Sequence, residues 1–135
     1  MGASGSVWHS PLEWPLPSAD LSLGRADVHV WRLSLEQNPD QTAASREVLS
    51  ADELERADRF LRSEHGARFV ASRGGLRVLL GRYLNAKPSE LTFRYSERGK
   101  PSLEHPRGTD IQFNLSHSAG LAIYAFSRGR ALGVD

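Results

Sequence analysis

Residues 67–84 read "ARFVASRGGLRVLLGRYL", and this stretch constrains the fold more than any other. Phe69, Leu76, Leu80 and Tyr83 recur at helical spacing, and Val70, Leu79 and Leu84 widen the apolar surface beyond a single stripe. A helix with so broad an apolar surface has to be covered by other elements. Gly74 and Gly75 stand side by side in its interior, where each costs about 1 kcal/mol relative to alanine. Such a pair implies either close approach of another backbone or ligand, or a kink, the simpler explanation.

The rest of the chain supplies what covers the helix. "DVHVWRLSL", residues 27–35, is β-branched and aromatic and reads as a strand. "EQNPDQTAAS" then breaks the pattern as a loop. Ser50 with Glu53 three positions later forms a capping box, so a helix begins there, with Leu54, Ala57 and Leu61 on one side and Arg56, Arg59 and Arg62 on another. Gly66 interrupts or ends that helix, and Pro88 stops the next. "LTFRYS" alternates as a strand, and "ERGKPSLEHPRGTD" is a polar, turn-rich loop. "IQFNL" and "LAIYAF" form an antiparallel pair around the tight connection "SHSAG". "ALGVD" reads as a further strand with Asp135 last, either a short closing edge or part of a longer protein. The expected class is α/β (α+β): a small antiparallel sheet packed on the long buried helix, formed by residues 27–135. Residues 1–26, with Pro11, Pro15 and Pro17 among Ser and Gly, are expected to be an extended, partly ordered arm.

The 135 residues suffice for one domain with a real core. A net charge of +1 gives no global field to draw nucleic acid or a membrane surface. Fifteen arginines against two lysines favour bidentate grip on phosphate or carboxylate, although genomic composition contributes to such a bias. The chain has no cysteine, so disulfides and thiol chemistry are excluded. The amino terminus lacks a basic start followed by an apolar run, and no stretch approaches membrane-spanning length; the expectation is a soluble, cytoplasmic protein.

Chemistry-bearing residues gather near the strand pair. In "IQFNL", Gln112, Asn114 and Ser116 fall on one face and Ile111, Phe113 and Leu115 on the other. Tight turns can aim consecutive N–H groups at an anion, and Ser116 and His117 add side-chain donors. An ordinary hairpin turn whose serines satisfy their own backbone is the commoner use of such residues. "RGKP", residues 98–101, either presents Lys100 as a cation on a stiff loop or is a plain turn. Arg68, Arg73 and Arg77 offer cations on the helix, or form a solvated face paired with Asp58 and Glu64. Asp135 is an acid at a strand end; magnesium commonly takes one or two protein carboxylates and completes its shell with water and phosphate, but a lone aspartate is ordinarily just a surface acid. His9, His29, His65 and His105 show no metal-ligand spacing, and no zinc-protease, phosphate-loop, dinucleotide or nucleophile-elbow motif is present.

Taken in order, an arginine-bearing helix, "GKP", "FNLSHS", an apolar strand and "GVD" closely resemble the amino-terminal half of the surfactin-synthetase-type (Sfp-type) 4′-phosphopantetheinyl transferases. The resemblance spans roughly residues 28–135. It implies one half of a pseudo-twofold fold with coenzyme A in the cleft between halves. It implies transfer of phosphopantetheine from coenzyme A to a serine of an acyl or peptidyl carrier protein, with Mg2+ as cofactor and fatty acid, polyketide or nonribosomal peptide synthesis served. By matching position, Lys100 and His117 would bind the 3′-phosphate with Ser116 beside them, Arg68 would reach the same end of coenzyme A, and Asp135 would be the first magnesium carboxylate. The family's later acid and its "KE" helix have no counterpart here, so this chain alone is expected to be inactive and to need its missing carboxy-terminal half, or a second copy in a homodimer.

Two other functions compete. A non-catalytic module binding coenzyme A or a carrier protein would use Lys100 and His117 without Asp135. A nucleic-acid protein using the arginine helix would show salt-sensitive binding; near-neutral net charge argues against it.

Overall fold

The computed structural model describes residues 6–8 and 23–129. Its elements are β1 (Ser6–Trp8), β2 (His29–Ser34), α1 (Pro39–Glu47), α2 (Ala51–Asp58) and α3 (Ser63–Leu84), then a 3-10 turn (Pro88–Glu90), β3 (Thr92–Tyr95), β4 (Pro101–His105), β5 (Ile111–Ser118) and β6 (Leu121–Arg128). One sheet has the order β1-β2-β6-β5; β3 and β4 form a separate hairpin. The expected α+β architecture, a small antiparallel sheet on a long buried helix, is the one observed. The sheet is antiparallel throughout except that β1 runs parallel to β2, which gives a piece of the expected arm a place in the sheet. The end of that arm is packed as well: Leu23 is buried in the main core and its carbonyl accepts from Arg128 Nε at 2.6 Å. Residues 1–5 and 9–22, and the "LGVD" strand, lie outside the described residues.

β2 alternates as a half-buried strand should: His29, Trp31 and Leu33 are buried while Val30, Arg32 and Ser34 face out. Its register against β6 puts Trp31 opposite Tyr124 and Leu33 opposite Ala122. These residues, with Phe113 and Phe126, meet Leu76, Leu79, Leu80 and Tyr83 of α3 in the main core. Each fully buried leucine contributes about 1.5–3 kcal/mol.

The glycine pair does not interrupt α3, which is continuous from Ser63 to Leu84. A methyl at Gly75 would lie 2.6 Å from the Tyr124 hydroxyl and 2.7 Å from a Leu33 methyl; one at Gly74 would lie 3.1 Å from Ser45 Cβ. Helix and sheet therefore touch at Gly75 with no side chain between them, and the Tyr124 hydroxyl donates to the Ser72 carbonyl at 2.7 Å.

Four expectations are corrected. The stretch read as a loop at residues 36–45 contains most of α1: Asn38 caps it, Pro39 occupies the first turn, and Asn38 and Gln41 exchange side-chain and backbone hydrogen bonds of 2.8 and 2.9 Å. Asn-Pro is a helix start here, not a turn. Gly66 does not end the Ser50 helix, which stops at Asp58; it lies early in α3, where a Cβ would sit 2.6 Å from the Ala57 carbonyl oxygen. Leu61 lies beyond α2 and is fully exposed, not part of an apolar stripe. Finally, residues 97–110 are not all loop, because β4 pairs with β3 around a tight connection.

The arginine face is also not solvated where Arg73 and Arg77 lie. Both are buried, and both pair with the buried carboxylate of Glu53: Arg77 Nε to Oε1 at 2.8 Å and Arg73 Nη1 to Oε2 at 3.2 Å. Arg77 also donates to the carbonyls of Pro88 and Leu91, and Arg73 donates to the Tyr95 hydroxyl. Their guanidiniums lie over the Phe69, Phe93 and Tyr95 rings. The network fixes the β3–β4 hairpin to α3, so these two arginines are architecture.

A second buried polar group carries a pH dependence. Trp31 Nε1 donates to the Tyr83 hydroxyl at 2.8 Å, and that hydroxyl lies 2.6 Å from His29 Nδ1. The other ring nitrogen, Nε2, is buried without a hydrogen-bond partner among the described residues. Burial pushes His29 below its ordinary value near 6.5, against the opposing charge of Asp27. The unfolded chain thus binds the proton first as pH falls through 6.5, and stability is lost on acidification. Urea midpoints measured between pH 7.5 and 5 should fall, with a shallower slope in His29→Phe; an unchanged slope would remove His29 as the cause.

Candidate functional site

Chemistry-bearing residues meet at the corner where the β5–β6 hairpin approaches the first turns of α3. β5 and β6 stay in register to the hairpin end, with Ser116 opposite Ile123, His117 opposite Ala122 and Ser118 opposite Leu121. Strand geometry therefore continues through "SHS", and the connection is only Ala119-Gly120, with Ala119 at φ 53°. The expectation of a tight turn from Ser116 onward, with successive N–H groups forming a concavity, is corrected.

Alternation then separates the two neighbours. His117 shares a cross-strand row with Ala122 and Leu33, on the face that packs against α3. Ser116 falls on the opposite face with Gln112, Asn114 and Ser118. His117 is exposed near the end of the hairpin and Ser116 is half-buried; among the described residues β5 pairs only with β6.

Arg68 rises from α3 towards the same corner. Its Nε and Nη2 both lie 3.3 Å from one oxygen, Oε2, of Glu36, the second residue after β2. That oxygen lies 2.9 Å from where a Cβ on Gly120 would stand, and the Leu35 N–H donates to the Gly120 carbonyl at 2.7 Å. Glu36 thus links helix, strand end and hairpin turn.

Lys100 occupies the other end of β5. The connection between β3 and β4 is closed by Ser96 N–H to the Lys100 carbonyl at 3.0 Å and Gly99 N–H to the Ser96 carbonyl at 2.9 Å, with Gly99 at φ 83°. This presents Lys100 over a groove of about 280 Å³ whose polar rim includes Ser102, Thr109 and Gln112 and whose floor includes Leu103 and Phe113. His117 is four residues beyond Phe113, about 13 Å further along the strand. The fold brings Arg68 and the His117 hairpin to one corner and sets Lys100 apart from them.

Among the described residues no three His, Asp or Glu side chains cluster as a metal site, and Asp135 lies outside them.

Sequence reasoning missed Glu36 as the partner of Arg68 and Glu53 as the partner of the buried Arg73 and Arg77. Glu36 and Arg68 are 32 positions apart, and no local pattern joins them. Glu53 was visible as a capping residue, but its second role depends on how α2 crosses α3.

Fold and corner define an α+β domain that presents cations and hydroxyls around β5. The family model described as 4′-phosphopantetheinyl transferase, N-terminal, matches residues 34–128. The chain belongs to the 4′-phosphopantetheinyl transferase family, and the match is to its amino-terminal region. It is 42% identical over 123 residues to the 4′-phosphopantetheinyl transferase HetI of Nostoc sp., covering 90% of this chain and 52% of HetI. It is 31% identical over 113 residues to a phosphopantetheinyl transferase of Thraustochytrium sp., covering 82% of this chain and 39% of that protein. The chain thus spans about half or less of these curated relatives. A holo-(acyl-carrier-protein) synthase from Bacillus anthracis, solved in complex with CoA (3′,5′-ADP), shares the fold with a TM-score of 0.59 at 19% identity, over 73% of this chain and 91% of that one.

Proposed function

We propose that this chain forms the amino-terminal part of an enzyme that transfers 4′-phosphopantetheine from coenzyme A to a serine of an acyl or peptidyl carrier protein. In that reaction the serine oxygen forms a bond to the phosphorus next to pantetheine. The bond from that phosphorus to the bridging oxygen breaks, and 3′,5′-ADP leaves with the electron pair. The serine proton goes to a base that the described residues do not supply. What supports the reading is the corner at the β5–β6 hairpin: Arg68 and the exposed His117 stand on facing elements within the stretch that matches the family.

In this reading Arg68 and His117 hold the 3′-phosphate. Ser116 lies on the other face of β5, and Lys100 lines a groove with Phe113 towards the other end of the strand, so coenzyme A follows β5. This departs from a single phosphate touched by both Lys100 and His117. Asp135 contributes one carboxylate for Mg2+, and the missing ligands come from a carboxy-terminal half or a second copy. No described helix is long and apolar enough to cross a membrane, which accords with work in the cytoplasm on carrier proteins of fatty acid, polyketide or peptide synthesis.

Calorimetric titration with coenzyme A, against 3′-dephospho-coenzyme A, tests the corner. Coenzyme A should bind more tightly, and His117→Ala should weaken it about tenfold, the scale of one charge-assisted hydrogen bond, while leaving the dephospho compound nearly unaffected. Equal affinity for the two compounds would sink the phosphate assignment. Restored turnover with the continuation of the chain attached, lost in Asp135→Ala, separates the transferase from a non-catalytic coenzyme A module.

A further inference from the structure

The position of Glu36 has a consequence for the ligand-free protein. Its carboxylate reaches Arg68 through one oxygen, 3.3 Å from both Nε and Nη2. It lies beside the one residue of the turn that has no side chain, Gly120, where a methyl would stand 2.9 Å from the same oxygen. The Glu36 side chain is 70% exposed and the Arg68 side chain 33%. An exposed carboxylate therefore sits between helix and hairpin, bound to the cation that an anionic ligand would seek.

We propose that Glu36 is a built-in stand-in for the ligand phosphate: it holds Arg68 aimed into the corner when the site is empty and is displaced when a phosphate arrives. The proposal rests on the phosphate reading of Arg68 and His117 given above. The chemistry favours exchange in one direction. An exposed carboxylate–guanidinium pair is weak because water screens it and both side chains lose freedom in forming it. A phosphate monoester carries more charge and three acceptor oxygens, enough to engage a guanidinium and an imidazole together. Once displaced, Glu36 turns into water with nothing buried to hold it back. Singly charged anions gain little over the carboxylate already present, so the resident group raises selectivity for a phosphate at the expense of absolute affinity.

Glu36 is thus a specificity-determining residue that acts through Arg68, and its removal should strengthen binding. The full chain and its Glu36→Gln variant would be titrated with coenzyme A and with 3′-dephospho-coenzyme A, with inorganic phosphate as a third probe and thermal midpoints recorded. The expected result is coenzyme A bound about threefold or more tightly by Glu36→Gln, dephospho-coenzyme A unchanged, and inorganic phosphate competing better than in the parent chain. A merely structural Glu36 would lower the thermal midpoint and weaken both coenzyme A compounds together, which overturns the proposal. Preference for the 3′-phosphate in the parent chain with no gain in Glu36→Gln overturns the proposal and leaves the phosphate reading standing. No preference for the 3′-phosphate in either chain overturns both.

Discussion

Replacing Glu53 with alanine should cost about 3–5 kcal/mol, the penalty for stranding buried charge, and about 1 kcal/mol more for the lost reciprocal cap of α2. Glu53 is 4% exposed. Its Oε1 accepts from the Ser50 backbone N–H at 2.9 Å and from Arg77 Nε at 2.8 Å, while Oε2 accepts from Arg73. Alanine leaves two guanidiniums buried without their anion. Against a total stability of about 5–15 kcal/mol for a domain, such a loss can unfold the chain. Glu53→Gln separates the contributions in part: it keeps the cap and one acceptor, but removes the charge and sets an amide N–H against Arg73 Nη1; it should fall between alanine and the parent in a urea titration. The triple replacement Glu53→Leu, Arg73→Met, Arg77→Met removes charge and countercharge together and should recover most of the loss. If Glu53→Ala unfolded at the parent's urea midpoint, the three residues would not be acting as a buried ionic unit.

Gly75→Ala should destabilise by roughly 2 kcal/mol, the reverse of the usual gain. Alanine in a helix interior ordinarily gains about 1 kcal/mol over glycine. At Gly75 the new methyl would overlap the Tyr124 hydroxyl and a Leu33 methyl, at 2.6 and 2.7 Å. Relief means moving Tyr124 off the Ser72 carbonyl or lifting β2 from the helix, and such overpacking costs about 1–3 kcal/mol before a buried hydroxyl loses its acceptor at a similar cost. Gly74→Ala meets only Ser45, with its nearest contact at 3.1 Å, and should be milder. Thermal unfolding of the two variants side by side decides the matter: equal or raised midpoints for Gly75→Ala would mean that helix and sheet do not approach as closely as described.

The elements whose signals are local could be read from the sequence. β2, α3 and the β5–β6 pair followed from periodicity, and α2 from a capping box confined to four residues. α1 could have been read the same way, since Asn38, Pro39 and Gln41 carry a complete start signal; the lack of an apolar stripe concealed it. What stayed hidden depends on residues meeting from afar. Arg73 and Arg77 look like a solvated face until α2 delivers Glu53 beneath them. The glycine pair left close approach and a kink both open, with the kink the simpler reading, and nothing local named Tyr124 and Leu33 as what approaches. At the candidate site, Arg68, Lys100, Ser116 and His117 could be singled out in advance. That Ser116 and His117 face opposite ways required knowing that the strand runs to Ser118.

The strand order of the main sheet also bears on when the fold can form. β2, near residue 30, finds its antiparallel partner in β6, near residue 125, so the central pairing spans some 90 residues. During synthesis the three helices leave the ribosome well before β6 does, and α3 must wait with much of its apolar surface uncovered. Long-range closure of this kind is slow compared with helix formation. A nascent chain in which α3 has emerged and β6 has not is therefore the form most in need of a chaperone, and protease resistance should set in only once Leu121–Arg128 is clear of the ribosome.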